Sequence, residues 1–314
     1  MNTSTKDSRR IRNWSEYNAS LCNRGSLTVW VEESALQQWY NHERSGNRGA
    51  SNTYSDVAIE MMLMLKSLYR LKLRQVTGFV GSIFSLMHLE LNVPDYSTLS
   101  RRQSTLDVFL EPSVGAGALH VVMDSSGLKI YGEGEWSVRR HGASKRRKWR
   151  KLHLAIDQQS MQILSATLTD QDEHDVTEFD DLLDQIEQEI SQVSADGAYD
   201  SWAVYEKLAE RSASGAIPPR RGSKIRRHGN SSDPPLERDE HLRFIRKHGR
   251  AAWKKEVGYH FRSLAETMMG RYKQIFGQSL QARKWVNQVT EALLNCALLN
   301  RLTDLGRPLR ELPA

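Results

Sequence analysis

The sequence predicts an α/β fold in which an all-helical region precedes a larger domain built on a mixed five-stranded sheet. Two changes of pattern along the chain support this division. Apolar residues recur at helical spacing between about Asp56 and Val108, and Gly115-Ala-Gly117 then marks a boundary. Beyond it, short apolar runs typical of strands alternate with helical patterns. The 314 residues suffice for one large and one smaller domain.

The predicted helical region, residues 54–113, follows a basic N-terminal arm and linker at residues 1–53. Two amphipathic helices are expected, the first over about residues 56–69 and the second over 73–87. The turn Leu91-Asn-Val-Pro-Asp95 ends in a helix N-cap signal. The third helix, starting at Tyr96, exposes polar side chains, namely Ser97, Thr98, Ser100, Arg101, Arg102 and Gln103. This pattern is typical of a helix-turn-helix DNA-reading region, although a plain supporting bundle is the alternative.

The elements predicted between residues 115 and 280 follow the order β-β-β-α-β-α-β-α, with a last helix and tail at 281–314. The strands are expected at residues 119–124, 151–156, 161–168, 193–196 and 215–218, and the helices at 174–190, 201–211 and 259–273. This is the order of the ribonuclease H-like fold, in which the first and fourth strands are neighbours. Asp124 and Asp196, each predicted near a strand end, should therefore lie side by side although 72 residues separate them.

Residues 259–273 carry an unusual combination of side chains. On a helix turning 100° per residue, one arc of roughly 60° would hold four of them. They are Tyr259, Arg262, Glu266 and Lys273. A carboxylate among two cations and a phenol suits contact with both a metal ion and an anion. The plainer interpretation is a solvated face with an i,i+4 ion pair.

The same fold would let the helix bring Glu266 to Asp124 and Asp196. Three converging carboxylates repel one another unless a cation is present. Two divalent ions about 3.5–4 Å apart would neutralise them and promote in-line phosphoryl displacement. Mg²⁺ fits, because it takes few protein ligands and completes its shell with phosphate and water. We therefore expect Mg²⁺, with Mn²⁺ able to substitute.

Charge is segregated along the chain. Residues 139–151 contain eight Lys or Arg and no acid, and residues 220–255 contain twelve Lys or Arg against four acids. By contrast, residues 170–189 contain ten acids and no Lys or Arg. Segregation of this kind predicts a polyanionic partner. We expect both basic segments, including Arg146, Arg147 and Lys148, to contact phosphates without reading sequence.

Trp253 lies beside Lys254-Lys255, where the basic insertion 220–255 meets the helix of Glu266. One interpretation is that its ring stacks on a nucleotide extruded from the duplex, with Trp136 and Trp149 as second candidates. The alternative is that Trp253 packs the insertion onto the core.

Specific motifs resemble those of DDE transposases from bacterial insertion sequences. The Tyr259, Arg262, Glu266 and Lys273 spacing resembles the Tyr-Arg-Glu-Lys signature of that family. Asp124-Ser-Ser-Gly-Leu-Lys-Ile-Tyr-Gly132 resembles its first-Asp block, and Ala195-Asp196-Gly-Ala-Tyr-Asp200 its second. Pro94-Asp95-Tyr-Ser-Thr-Leu-Ser-Arg-Arg102 is similar to a segment of the insertion-sequence-five group. The resemblance runs from about residue 45 to residue 300.

The resemblance implies cut-and-paste movement of DNA. Asp124, Asp196 and Glu266 would be the catalytic, metal-binding triad, while Tyr259, Arg262 and Lys273 would hold the phosphate backbone near the cut. The partners would be double-stranded inverted-repeat ends and target DNA, bound by a homodimer or higher assembly. Two alternatives remain open: a ribonuclease H-like nuclease without strand transfer, and a catalytically dead DNA-binding repressor.

Several features bear on location. Cys22 and Cys296 match no metal-ligand spacing and suit free thiols in a reducing compartment. The polar N-terminus does not resemble a signal peptide, and the most apolar run, Met61–Leu65, is too short to span a bilayer. We therefore expect a cytoplasmic, nucleoid-associated bacterial protein with no membrane partner.

Overall fold

The computed structural model describes residues 11–42, 52–130, 149–227 and 235–309. The chain divides into two compact units, one made of residues 1–102 with 298–314 and the other of residues 103–297. None of the helices in the described ranges combines the length and the apolar character needed to cross a membrane.

The first unit is helical. Its helices are α1 (Trp14–Asn23), α2 (Leu27–Trp30), α3 (Glu33–Gln37), α4 (Asp56–Leu68), α5 (Leu73–Leu86) and α6 (Tyr96–Arg102). Buried apolar side chains of α4 and α5 form its core, together with the fully buried Trp39. The predicted N-cap of α6 is present, because the Asp95 carboxylate accepts a hydrogen bond of 2.8 Å from the Ser97 amide.

Residues 11–37 are more ordered than the arm expected from the sequence. Three short helices occupy this stretch, and polar contacts tie it to the C-terminal tail within the same unit. The Asn13 side chain donates to the Arg307 carbonyl at 2.9 Å, and the Arg24 guanidinium donates to the Gly306 carbonyl at 2.9 Å. The arm prediction failed because these partners lie almost 300 residues away in sequence. Residues 1–10 and 43–51 are outside the described ranges.

The second unit is built on one mixed sheet. Its strands are β1 (Leu119–Ile130), β2 (Trp149–Asp157), β3 (Ile163–Asp170), β4 (Ile190–Ser194), β5 (Ser214–Ala216) and the short β6 (Ser279–Leu280). The order across the sheet is β3-β2-β1-β4-β5, with β6 pairing to the far end of β1. Pairing is antiparallel from β3 to β1 and parallel from β1 to β5, so the predicted mixed five-stranded sheet is confirmed with β6 added.

The predicted adjacency of the first and fourth strands is also confirmed, since β1 and β4 pair in parallel. The predicted position of Asp124 at a strand end is wrong. The strand continues six residues beyond it, because β2 pairs with β1 as far as Lys129 and β6 pairs with its last two residues. Asp124 therefore lies in the middle of the longest strand.

The acidic helix predicted over residues 174–190 is much shorter. Only α7 (Phe179–Asp184) is α-helical, and Ile190 belongs to β4 instead. Pairing of Ile190 with Leu119 of β1 explains the difference, because sheet formation overrides the local helical periodicity. The apolar side of α7 still packs on the sheet through Phe179, Leu182 and Leu183.

The remaining helices follow in chain order. They are α8 (Trp202–Glu210), α9 (Glu237–His248), α10 (Arg250–Glu256), α11 (Ser263–Phe276) and α12 (Trp285–Asp304). The single helix predicted for residues 259–273 is two elements, because Tyr259–Arg262 is a 3₁₀ turn that precedes α11. Gly258, with φ of +66°, starts this turn in the left-handed region.

Candidate active site

Asp124 and Asp196 meet at the boundary between β1 and β4. The parallel register pairs Val122 with Ser194. Asp124 and Asp196 each lie two residues further along, so the register brings them side by side. Asp196 lies just past the end of β4, where its Oδ1 accepts a 2.8 Å hydrogen bond from the Ala198 amide and caps the 3₁₀ turn Gly197–Tyr199. Asp124 Oδ1 accepts a 2.9 Å hydrogen bond from the Ser125 amide.

Glu266 reaches the same place from α11, where it lies in the first turn. The link is Arg262, which lies one turn earlier. Its guanidinium donates to Glu266 Oε1 at 2.5 Å and to Asp124 Oδ2 at 3.2 Å. One cation thus joins a carboxylate of the central strand to a carboxylate of the helix.

Asp124 is the carboxylate whose pKa responds to its neighbours. Burial raises the pKa of Asp124, the Arg262 charge opposes this shift, and the charges of Asp196 and Glu266 add to it. The pKa of Tyr259 is likewise raised, first by burial and then by the same three acids, against the effect of Arg262. Among these groups, the Arg262 guanidinium is the cation that opposes the shifts of both Asp124 and Tyr259.

Lys273 supplies a second cation from further along α11. Its Nζ donates to Ser126 Oγ at 2.5 Å, two residues beyond Asp124 on the same strand. Three of the four side chains predicted to share one face therefore contact β1 or its acids: Arg262, Glu266 through Arg262, and Lys273. The 3₁₀ conformation of residues 259–262 turns Tyr259 instead toward Trp253 and Lys254.

A basic cleft of about 510 Å³ opens beside these acids. It is lined by Ala251, Lys254, Lys255, Tyr259, His260, Arg262 and Ser263. The Lys254 ammonium lies 5.0 Å from the centre of the Tyr259 ring, a cation–π distance. The cleft combines ammonium, guanidinium and phenol groups, which suits an anionic ligand.

The donor chemistry of the three carboxylates fits a hard divalent cation, which prefers oxygen ligands. Burial raises the pKa of Asp124 and the charges of Asp196 and Glu266 add to this shift, so a bound cation would favour the charged form of the carboxylate. Within the part of the chain that the structure describes, no group of three or more His, Cys, Asp or Glu is spaced to hold a metal. The Arg262 guanidinium pairs with both Asp124 and Glu266.

Two family models, each described as a transposase DDE domain, match the chain. One covers residues 22–133 and the other residues 115–301. The second match alone spans more than half of the 314 residues. The chain belongs to the transposase DDE domain family. The predicted DDE transposase family is thereby confirmed, and the mixed sheet of this transposase agrees with it, whereas the Tyr-Arg-Glu-Lys signature and the insertion-sequence-five group stay predictions.

The tryptophans that were predicted to contact DNA have packing contacts where the structure describes them. Trp253 is 1% exposed and packs between His241 and Tyr259, with ring centres 5.4 and 5.9 Å away. The structure therefore favours the alternative in which Trp253 packs within the protein, because the buried indole has no face free to stack on a base. Trp149 packs over Gly127. Arg146, Arg147, Lys148 and Trp136 lie outside the described residues.

The polar face predicted for α6 is only partly available. Arg101 is exposed, but the Arg102 guanidinium donates to the Tyr54 carbonyl at 2.7 Å and pairs with Asp56. Gln103 is buried and lies in a 3₁₀ turn, not in the helix. The prediction that Arg102 and Gln103 face a duplex is wrong, since both side chains have structural roles.

Sequence reasoning missed several residues that shape this transposase site. Ser125 and Ser126 follow Asp124 directly, yet hydroxyls carry no distinctive spacing. Asp175 is one of the ten acids of residues 170–189, and the Ser125 hydroxyl donates to it at 2.7 Å. Arg220 donates to the carbonyls of Gly197 and Ala198, the turn that Asp196 caps. No sequence signal separates this arginine from its basic neighbours.

Proposed function

We propose that this transposase binds the ends of its own insertion sequence and catalyses metal-dependent DNA cleavage and strand transfer. The proposal is supported by the register that sets Asp124 of β1 beside the end of β4 and by the contacts of Arg262 with both Asp124 and Glu266. The charges of Asp196 and Glu266 also add to the raised pKa of Asp124. Such a site is suited to phosphoryl transfer beside a basic cleft.

Asp124, Asp196 and Glu266 would hold the divalent ions, with Mg²⁺ as the expected ion and Mn²⁺ as a substitute. When bound, two such ions supply activation of the attacking oxygen and stabilisation of the leaving oxygen. The chain itself contributes the placement of these acids. The sheet register supports the pairing of Asp124 with Asp196, and the contacts of Arg262 with Asp124 and Glu266 support the third member.

Arg262 has a second proposed role as a phosphate ligand. Arginine binds phosphate bidentately, and Arg262 lines the basic cleft as well as contacting the acids. A DNA phosphate entering the cleft would draw the guanidinium away from Asp124 and Glu266. Tyr259 and Lys254 line the same cleft, and Lys273 would complete the phosphate contacts from α11. This assignment matches the Tyr-Arg-Glu-Lys signature of the insertion-sequence-five resemblance.

Other parts of the chain would contribute affinity and recognition. The basic segments 139–151 and 220–255 would contact the phosphate backbone, and Arg101 on α6 would contribute to reading the element end. Because two element ends must be joined to one target, we propose that the active form is a dimer or a higher assembly on DNA.

A strand-transfer assay tests this function. The purified chain is incubated with Mg²⁺, a labelled duplex carrying an element end and a supercoiled target plasmid. The proposal predicts label covalently joined to the target. Cleaved ends without joined product would support a nuclease of the same fold, and end binding with neither product would support a repressor.

A further inference from the structure

Asp175, in the turn before α7, has three polar neighbours on the sheet. Its Oδ1 accepts a 2.7 Å hydrogen bond from the Ser125 hydroxyl and lies 3.2 Å from the Lys151 ammonium. The third neighbour is His153, whose Nδ1 is 3.5 Å away. Ser125 and His153 are cross-strand partners on β1 and β2. A loop acid is therefore fixed to the strand that carries Asp124, one residue beyond it.

The side chains around Asp124 are held from both faces of the sheet. Successive residues of a strand point to opposite faces, so Ser125 points away from the face shared by Asp124 and Ser126. On that shared face Arg262 contacts Asp124 and Lys273 contacts Ser126. On the opposite face Asp175 contacts Ser125. Asp124, Ser125 and Ser126 are thus contacted in turn from alternate faces of the sheet.

The contacts of Asp175 are those of an ordered network rather than of a solvated surface acid. Its side chain is 19% exposed, and the His153 imidazole is fully buried with Nε2 2.9 Å from Thr169 Oγ1. Lys151 Nζ also donates to the Glu173 carbonyl at 2.6 Å, which ties the loop to β2 a second time. Buried polar groups are stable only when partnered, so this network restricts the loop and Ser125 together.

We propose that Asp175, acting through the Ser125 hydroxyl, is a positioning residue that fixes the β1 segment carrying Asp124. The inference rests on the proposed function, since it concerns the geometry of the same site. Reaction rates are sensitive to such placement, because a displacement of about 1 Å can cost on the order of 100-fold. A contact that served only the fold would affect stability and not the site.

The test uses the full chain with three variants. Ser125→Ala removes the hydroxyl, Ser125→Thr keeps it on a side chain that strands accept, and Asp175→Asn removes the charge. Ser191→Ala is the matched control, because Ser191 also donates to β1 but at its opposite end, at the Leu119 carbonyl. Each variant is measured for melting temperature, for kcat and KM of end cleavage, and for Mn²⁺ binding by electron paramagnetic resonance.

We expect Ser125→Ala and Asp175→Asn to lower kcat at least tenfold and to weaken Mn²⁺ binding severalfold. KM for end DNA should stay within about twofold, and Ser125→Thr should recover most of the activity. The double variant should be no slower than the slower single variant, because both changes act through one contact. The Ser191→Ala control should match the wild type.

The inference is overturned if Ser125→Ala and Asp175→Asn keep wild-type kcat and Mn²⁺ affinity. It is also overturned if Ser125→Thr is as impaired as Ser125→Ala, or if every defect follows a fall in melting temperature. Failure of the proposed function gives a different result, a wild-type chain that cleaves no end. In that event the Mn²⁺ measurements, which need no DNA, still decide whether Asp175 positions the acids.

Discussion

Arg262 is the cation that contacts two acids of the proposed site. It holds Asp124 and Glu266 together in the structure, and it also lines the basic cleft. One guanidinium cannot neutralise two carboxylates and bind a phosphate bidentately at the same time. Binding of DNA and exposure of the acids are therefore coupled through this side chain, and by linkage the coupling is reciprocal.

Replacement of Arg262 by Gln should increase metal affinity in the absence of DNA. Removing a cation from between two carboxylates leaves them to attract another one, and charges about 4 Å apart interact by about 4 kcal/mol near a protein surface. We expect Mn²⁺ to bind at least about tenfold more tightly, which corresponds to about 1.4 kcal/mol. The Mn²⁺ affinity is measured by a titration in which electron paramagnetic resonance reports free Mn²⁺.

The control for this prediction is Arg271→Gln. Arg271 lies on α11, and its side chain contacts Met268. It should leave Mn²⁺ affinity unchanged. DNA should tighten Mn²⁺ binding to the wild type more than to Arg262→Gln. Equal Mn²⁺ affinity of the wild type and Arg262→Gln without DNA would show that Arg262 does not compete with the metal.

The three carboxylates are recognisable in the sequence because each lies in a distinctive block and because element order alone places two of them on neighbouring strands. Asp175 is not recognisable, because an acid among ten has no distinguishing spacing.

The role of Trp253 is ambiguous in the sequence. Its basic neighbours suggest DNA contact, whereas burial against His241 and Tyr259 depends on a helix pair, α9 and α10, that local pattern does not reveal.

At the scale of elements, the turn at Gly258 decides where the signature residues point. Gly258 adopts φ of +66°, and a Cβ there would lie 3.3 Å from the Phe261 ring. The turn separates α10 from the 3₁₀ segment Tyr259–Arg262 and so orients Arg262 toward Asp124. The helix expected over residues 259–273 would start directly after this turn, but its first four residues are a 3₁₀ turn instead.

Gly258→Ala should therefore destabilise the fold. The left-handed conformation costs an L-residue roughly 1–2 kcal/mol, and the contact with Phe261 adds to it. Urea unfolding should show a destabilisation of about that size together with slower cleavage. Gly270→Ala is the control, because Gly270 lies in α11 with open space around it, and alanine there should be neutral or should stabilise by about 0.5–1 kcal/mol. Equal stability of Gly258→Ala and the wild type would contradict the turn geometry.

Two adjacent arginines of α6 should behave differently. Arg102 anchors the helix to Tyr54 and Asp56, so Arg102→Ala should lower the melting temperature without DNA. Arg101 is exposed on the same helix, and Arg101→Ala should leave the melting temperature unchanged. It should cost about 1–3 kcal/mol of binding on the element end and less on a scrambled duplex. Equal effects on both duplexes would place sequence recognition elsewhere.

At the scale of the whole molecule, basic and acidic residues are distributed unevenly along the chain, which has 44 Lys or Arg and 38 acids. Neutralising Arg221, Lys224 and Arg226 together should weaken binding to every duplex alike. The slope of log affinity against log salt should flatten by about 0.9 for each DNA phosphate that is no longer neutralised. The same substitution at Arg146, Arg147 and Lys148 tests the other basic segment. An unchanged slope would mean that these segments serve solubility or protein contacts.

The overall architecture was more predictable than its boundaries. The order of strands and helices matched that of the ribonuclease H-like fold, in which the first and fourth strands are neighbours, and β1 pairs with β4 as that fold predicts. Strand lengths were not predictable, since β1 extends through pairing with β2 and β6, which lie far along the chain. The helical unit likewise recruits residues 298–314, which no local pattern indicates.

The most direct test of the proposed triad is end cleavage by Asp124→Ala, Asp196→Ala and Glu266→Ala, with Asp157→Asn as a control acid on β2. Single-turnover cleavage of a labelled element end with Mg²⁺ is measured beside a gel shift of the same duplex. Each triad variant should lose cleavage and strand transfer while end binding stays largely intact, and Asp157→Asn should retain all three. Near wild-type cleavage by any one triad variant would remove that residue from the site and contradict the shared metal-binding triad.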